Sequence, residues 1–204
     1  MELLIEIINF FLHIDKFIFS LVDLYGVYTY ILMFLTIFFE TGIVVTPFLP
    51  GDSLIFTAGA LAGIGKLNIY LLFILLAVAA ILGDSLNYFI GNKFSEGILR
   101  RKWIKKDHLD RTHNLYSKHG GKIILIARFI PIVRTIAPFV AGAGKMNYKK
   151  FFQFNVGGAI LWIFIFLIGG YFFGNLEIVQ NNFSLIIILI VVGSLTIPLL
   201  FGKK

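Results

Sequence analysis

Five ionisable side chains interrupt otherwise apolar stretches of the chain: Glu40, Asp52, Asp84, Arg128 and Arg134. At the centre of a membrane helix each costs on the order of 2.5–3.5 kcal/mol. Groups retained there face a protein interior or a watery cavity, and are candidates for function. Arg128 and Arg134 lie on either side of Pro131. On an unbroken helix they would not share a face, but a bend at Pro131 lets both guanidinium groups converge. Two permanently charged forks suit a phosphate bidentately. The chemistry implied is a lipid phosphate or pyrophosphate held at membrane depth. Glu40 and Asp52 are the candidate proton or ion carriers. A plainer reading pairs acids of the first half with arginines of the second, and such a pair can still open to admit a headgroup.

The neighbours of these residues qualify their roles. Asp52 follows Pro50-Gly51, so its carboxylate is expected at a turn. Free amides of a half-helix from Ser53 onward would favour an anion there, and N-capping is its plainer role. Asp84 stands beside Gly83, Asn87 and Gly91, which recur every four residues. Such a stripe lets helices approach closely, as Asn155, Gly157, Gly158, Gly169 and Gly170 would do later. His108, His113 and His119 accompany Asp107 and Asp110. No His-x-x-x-His spacing or cysteine completes a zinc set, so no metal is expected. No nucleophile elbow, phosphate-binding glycine loop or metalloprotease motif occurs, and neither a cofactor nor enzymatic chemistry is expected.

The elements that must position these residues are membrane helices. Of the 204 residues, 58% are hydrophobic and a further 20 are glycine. Charged residues make up 14%, where soluble domains carry about 25%. Soluble, disordered and disulfide-rich secreted classes are excluded, and the absence of cysteine removes thiolate chemistry. The first eleven residues carry two glutamates and no Lys or Arg, so no cleaved signal peptide is expected. Full spans are predicted at 25–45, 67–90, 151–173 and 183–201, with 3–21 interfacial or partly spanning. The loop 93–122 holds nine basic and three acidic residues. Flanked by apolar segments, it reads as a cytoplasmic loop under the positive-inside rule rather than a nucleic-acid site.

Two apolar segments are broken. Segment 44–65 contains Pro47, Pro50, Gly51, Gly59 and Gly63; segment 123–144 contains Pro131, Pro138, Gly142 and Gly144. If 123–144 crossed fully, Lys145, Lys149, Lys150, Lys203 and Lys204 would fall outside, against the positive-inside rule. Entering and returning keeps all five cytoplasmic. An echo links the two segments. Ala58-Gly59-Ala60 precedes Gly65-Lys66-Leu67-Asn68, and Ala141-Gly142-Ala143 precedes Gly144-Lys145-Met146-Asn147. One span separates the copies, giving opposite orientations, as in transporters built from inverted repeats. The fold class is therefore all-α and polytopic: one membrane domain, with halves 25–92 and 123–204 joined by the basic loop.

The motifs Phe39-Glu40-Thr41-Gly42, Pro47-Phe48-Leu49-Pro50-Gly51-Asp52-Ser53 and Gly83-Asp84 with Asn87-Tyr88 and Gly91 are long and specific. With them stand Lys118-His119-Gly120-Gly121-Lys122 and Ala127-Arg128-Phe129-Ile130-Pro131-Ile132-Val133-Arg134-Thr135, then Pro138 and Ala141-Gly142. Together they resemble the DedA family of bacterial inner-membrane proteins, within the SNARE-associated, VTT-domain superfamily. The resemblance covers nearly the whole chain, most tightly 25–173, and no motif position departs from it. It implies a multi-pass inner-membrane protein with two facing re-entrant segments. It also implies a part in returning undecaprenyl phosphate or phosphatidylethanolamine across the bilayer, and in proton-dependent envelope maintenance. The family's important acids match Glu40 and Asp52, and its important arginines Arg128 and Arg134.

The expectation is a lipid transporter or flippase. Arg128 and Arg134 bind the phosphate, and Glu40 and Asp52 couple a proton. Pro50, Gly51, Asp84, Asn87, Pro131 and Pro138 support them. Its partners are a membrane lipid and protons, with no nucleic acid, and a homo-oligomer is left open. Loop 93–122 and the C-terminus are expected in the cytoplasm. The rival readings are a proton- or cation-coupled exporter of small solutes and, more remotely, an intramembrane lipid-phosphate enzyme.

Overall fold

A computed structural model describes residues 22, 24–43, 51–100, 121–173 and 176. Every regular element among them is helical: α1 (Tyr28–Gly42), α2 (Gly51–Gly63), α3 (Ile69–Arg100), α4 (Lys122–Ala127), α5 (Pro131–Ala143) and α6 (Tyr148–Ile163). A π-helical segment, Phe164–Ile168, leads from α6 into α7 (Gly169–Phe173). Segment 3–21, Pro47, Pro50, the three loop histidines, span 183–201 and the last two lysines lie outside the described residues.

Two helical stretches, Ile69–Lys93 and Tyr148–Phe173, have 25 and 26 residues and are apolar enough to cross a membrane. A bilayer core of about 30 Å needs roughly 20 residues. They coincide with the predicted spans 67–90 and 151–173. Helix α3 runs on to Arg100, inside what the sequence suggested was loop, because no proline or turn cluster stops it. Helix α1, at 15 residues, is shorter than the span predicted at 25–45. Helix α2 has 13 residues, a length of roughly 20 Å. Gly51 through Ala62 are all buried, as befits a helix apolar on every side.

The break in the second proline-containing segment is local. Ile130 adopts extended backbone, φ −117° and ψ 103°, as the residue before a proline must. Pro131 then opens α5, where its missing N–H leaves no bond unmade. Arg128 therefore sits in the turn and Arg134 in the first turn of α5.

The chain forms two compact units, which do not follow its sequential halves. One comprises Met1–Thr36, Pro50–Leu76 and Ile163–Lys204; the other comprises Ile37–Leu49 and Ala77–Trp162. Within the first, Gly59 of α2 lies against the Leu167 carbonyl and Tyr171 amide, and Gly170 against the Phe56 carbonyl. Within the second, Gly142 of α5 lies against the Tyr88 carbonyl and Asn92 amide, and Gly91 of α3 against the Phe139 carbonyl. The two crossings have the same register. In each, the half-helix glycine meets the carbonyl three residues before the partner glycine, and the reverse also holds. A Cβ at any of the four would overlap backbone, so glycine alone allows the approach.

Both half-helices also end alike. Lys66 N–H reaches the Leu61 carbonyl at 3.0 Å, and Met146 N–H the Ala141 carbonyl at 3.0 Å. Gly65 and Lys145 take positive φ, 78° and 53°, completing Schellman-type caps. Asn68 Oδ1 then accepts from the Tyr70 and Leu71 amides at 3.0 Å, and Asn147 Oδ1 from the Lys150 amide at 3.3 Å. Each asparagine thus caps the start of a long helix. The Ala-Gly-Ala and Gly-Lys-apolar-Asn echo encodes a repeated crossing followed by a repeated cap.

Candidate functional site

The site lies in the second unit and begins with a helix contact. A Cβ on Gly83 would overlap Thr41 Oγ1 and crowd the Phe38 carbonyl, so glycine lets the end of α1 reach α3. Glu40 and Asp84 follow from that contact. Glu40 Oε1 accepts a hydrogen bond from Arg134 Nη2 at 2.6 Å. Asp84 Oδ2 accepts from Arg128 Nη2, which also donates to Asn155 Oδ1 at 2.6 Å. All four charged residues are buried, with exposures of 0–5%. Acids of the first half thus neutralise arginines of the second, the pairing reading of the sequence.

Helix α6 supplies the floor. Asn155, Gly158, Ala159 and Trp162 recur at helical spacing and are all buried. A Cβ at Gly158 would stand 3.4 Å from Arg128 Nε, so a glycine there gives that side chain room. The guanidinium carbon of Arg134 lies 4.7 Å from the Trp162 ring centroid, and that of Arg128 lies 5.8 Å from it. Both distances are within cation–π range. The two arginines therefore converge on one indole, as the bend at Pro131 suggested.

Asn87 ties the site together. Its Nδ2 donates to the Thr41 carbonyl at 3.2 Å and the Thr135 carbonyl at 2.7 Å. These are the residues directly after Glu40 and Arg134. Asn155 Nδ2 donates to the Ile81 carbonyl at 3.0 Å, joining α6 to α3. Three buried atoms, Asp84 Oδ1, Asn87 Oδ1 and Arg128 Nη1, have no protein hydrogen-bond partner among the described residues. Buried polar atoms are rarely left so, and here they offer both donor and acceptor capacity inside the site. No group of three or more His, Cys, Asp or Glu among the described residues is placed to hold a metal.

Glu40, Asp84, Asn87, Arg128, Arg134 and Pro138 all belong to this unit, and Pro131 opens the helix that carries Arg134. Asp52 and Gly51 belong to the other unit. Asp52 is 8% exposed and lies inside the first turn of α2 rather than ahead of it. A carboxylate there still meets the positive end of the helix dipole. Sequence reasoning missed Trp162, and assigned Asn155 to packing alone. Their shared helix face was the available signal. Thr41 and Thr135 contribute through main-chain carbonyls, which residue type does not reveal.

The VTT domain family is matched over residues 49–172. The chain is 50% identical over 200 residues to Protein DedA of Escherichia coli K12, covering 96% of this chain and 91% of that one. It is 36% identical over 151 residues to Inner membrane protein YqjA of the same organism, covering 72% and 68%. An uncharacterized membrane protein of Mycobacterium leprae is 38% identical over 162 residues, covering 78% and 72%. No solved structure matches the chain. Family match, near-full-length identity and long apolar helices agree, and the chain belongs to the DedA family of VTT-domain membrane proteins.

Proposed function

We propose that this protein carries a phosphate-bearing lipid across the bacterial inner membrane by taking up a proton together with the headgroup at its arginine–carboxylate pairs. The observation that carries the reading is the Glu40–Arg134 pair, buried beside Arg128 over one indole. Replacing a buried ion pair by apolar residues is often neutral or stabilising, so stability alone is a weak reason to keep two. An exchange site is a better one. Protonation of Glu40 removes its negative charge and releases the Arg134 fork. A phosphate can then take the fork, with Arg128 alongside. When the lipid leaves, Glu40 loses its proton and the pair re-forms. Proton and phosphate thus occupy the site together, which couples their movements.

The lipid is undecaprenyl phosphate or phosphatidylethanolamine, and Asp52 is a second proton carrier. Helix α2 and the broken α4–α5 segment are the re-entrant halves of an inverted repeat, and their matching crossings and caps support this. Loop 93–122 and the C-terminus face the cytoplasm, and a relative's description as an inner membrane protein supports the location. The chain acts as a transporter rather than an enzyme, and the reading calls for no cofactor.

The test is reconstitution in liposomes, following translocation of both lipids with and without a pH gradient. Gradient-accelerated movement lost in Arg128→Ala and Asp52→Asn is expected. Movement of neither lipid would refute the reading and turn attention to export of small solutes.

A further inference from the structure

We infer that Trp162 is a positioning residue of the phosphate site: one indole ring holds both guanidinium groups in place when a carboxylate partner lets go. The inference rests on the phosphate reading above. Trp162 is fully buried, and so are Asn155 and Ala159 on the same face of α6. Arg134 and Arg128 lie 4.7 Å and 5.8 Å from its ring centroid, and each is also paired to a carboxylate.

The two kinds of contact use different parts of the guanidinium. Carboxylates take N–H bonds in the guanidinium plane, whereas an aromatic ring meets the cation through its π-face. A carboxylate and a phosphate oxygen therefore compete for the same donors, but the indole competes with neither. When Glu40 is protonated, Arg134 loses its partner's charge while remaining inside apolar protein. Without a second attraction its long side chain would gain rotamer freedom and its donors would no longer converge with those of Arg128. The ring removes that freedom and leaves the in-plane donors available. Sharing one ring also fixes the two arginines relative to each other, which a ligand bridging both requires. Phenylalanine would keep the π-face, and leucine would keep only the bulk.

The chain has two tryptophans, Trp103 and Trp162, which makes the inference directly observable. In a Trp103→Phe background, Trp162 is the sole indole fluorophore. The full-length protein in nanodiscs is titrated with farnesyl phosphate, a short polyprenyl monophosphate, with farnesol as the uncharged control. A saturable change in Trp162 emission with farnesyl phosphate but not farnesol is expected. Radiolabelled farnesyl phosphate then measures binding to Trp162→Phe and Trp162→Leu. Phenylalanine should bind within about threefold of the parent and leucine at least tenfold more weakly, with melting temperatures within a few degrees of each other. Equal binding by all three would overturn the role of Trp162 and leave the arginine site standing. Absence of binding to the parent by either method would overturn the phosphate reading and this inference with it. Should leucine prevent folding, ligand-free emission decides. Arg134→Gln in the Trp103→Phe background should shift the emission maximum, and an unchanged spectrum would refute the contact.

Discussion

Glu40 on α1 and Arg134 on α5 meet at 2.6 Å across 94 positions of sequence, both buried. The sign of their response to pH follows from the pair itself. Protonated Glu40 no longer binds Arg134 as an ion, so acid on the accessible side should favour phosphate entry. Glu40→Gln imitates the protonated form permanently. Its lipid movement should lose most of its dependence on pH, with Asp52 carrying the remainder, whereas the parent accelerates as pH falls. Arg134→Ala should abolish movement while expression persists. Translocation rates across a pH series in liposomes measure both.

The Asp84–Arg128 pair should behave as a buried pair in a thermodynamic cycle. Asp84→Leu alone strands the Arg128 cation and should destabilise by about 3–5 kcal/mol. Arg128→Leu alone should act similarly. The double variant should recover most of the loss, since no buried charge then remains unpaired. Denaturation of the four proteins in detergent gives the coupling energy.

Asn87 should matter to stability as well as transport. Asn87→Leu removes the side-chain hydrogen bonds to the Thr41 and Thr135 carbonyls, each worth about 0.5–1.5 kcal/mol. Hydrogen exchange should then rise at the ends of α1 and α5 before it rises elsewhere.

Neighbouring glycines should differ sharply in tolerance. A Cβ at Gly157 meets only Leu125 Cδ1 at 3.9 Å, an ordinary contact, so Gly157→Ala should be near neutral. At Gly142 and Gly59 a Cβ would overlap a backbone carbonyl, so Gly142→Ala and Gly59→Ala should separate the crossing helices. Monodispersity in gel filtration and melting temperature distinguish these outcomes.

The inverted arrangement can be read by labelling, because the chain has no cysteine. Lys66→Cys should react with an impermeant thiol reagent from outside the cell, and Lys145→Cys only from the cytoplasmic side. The same accessibility for both would eliminate opposite orientations.

The membrane class, the two long helices, the break before Pro131 and the candidacy of the buried charges were all legible in the sequence. Each rests on a local property. Twenty apolar residues have few alternatives to crossing a bilayer, proline disrupts the helix where it stands, and a charge in an apolar run is conspicuous. The Ala-Gly-Ala echo was legible too, but its meaning as a backbone crossing was not, since that needs both partners in place.

Partner choice was decided by the tertiary structure alone. Nothing local tells Arg134 to choose Glu40, or Arg128 to choose Asp84. The contact at Gly83 and the clamp of Asn87 bring the carboxylates to their arginines. Trp162 stayed hidden because a tryptophan in an apolar helix looks like packing until two cations are found beside its ring. Periodicity can establish which residues share a helix side, whereas what that side meets depends on pairing helices distant in sequence.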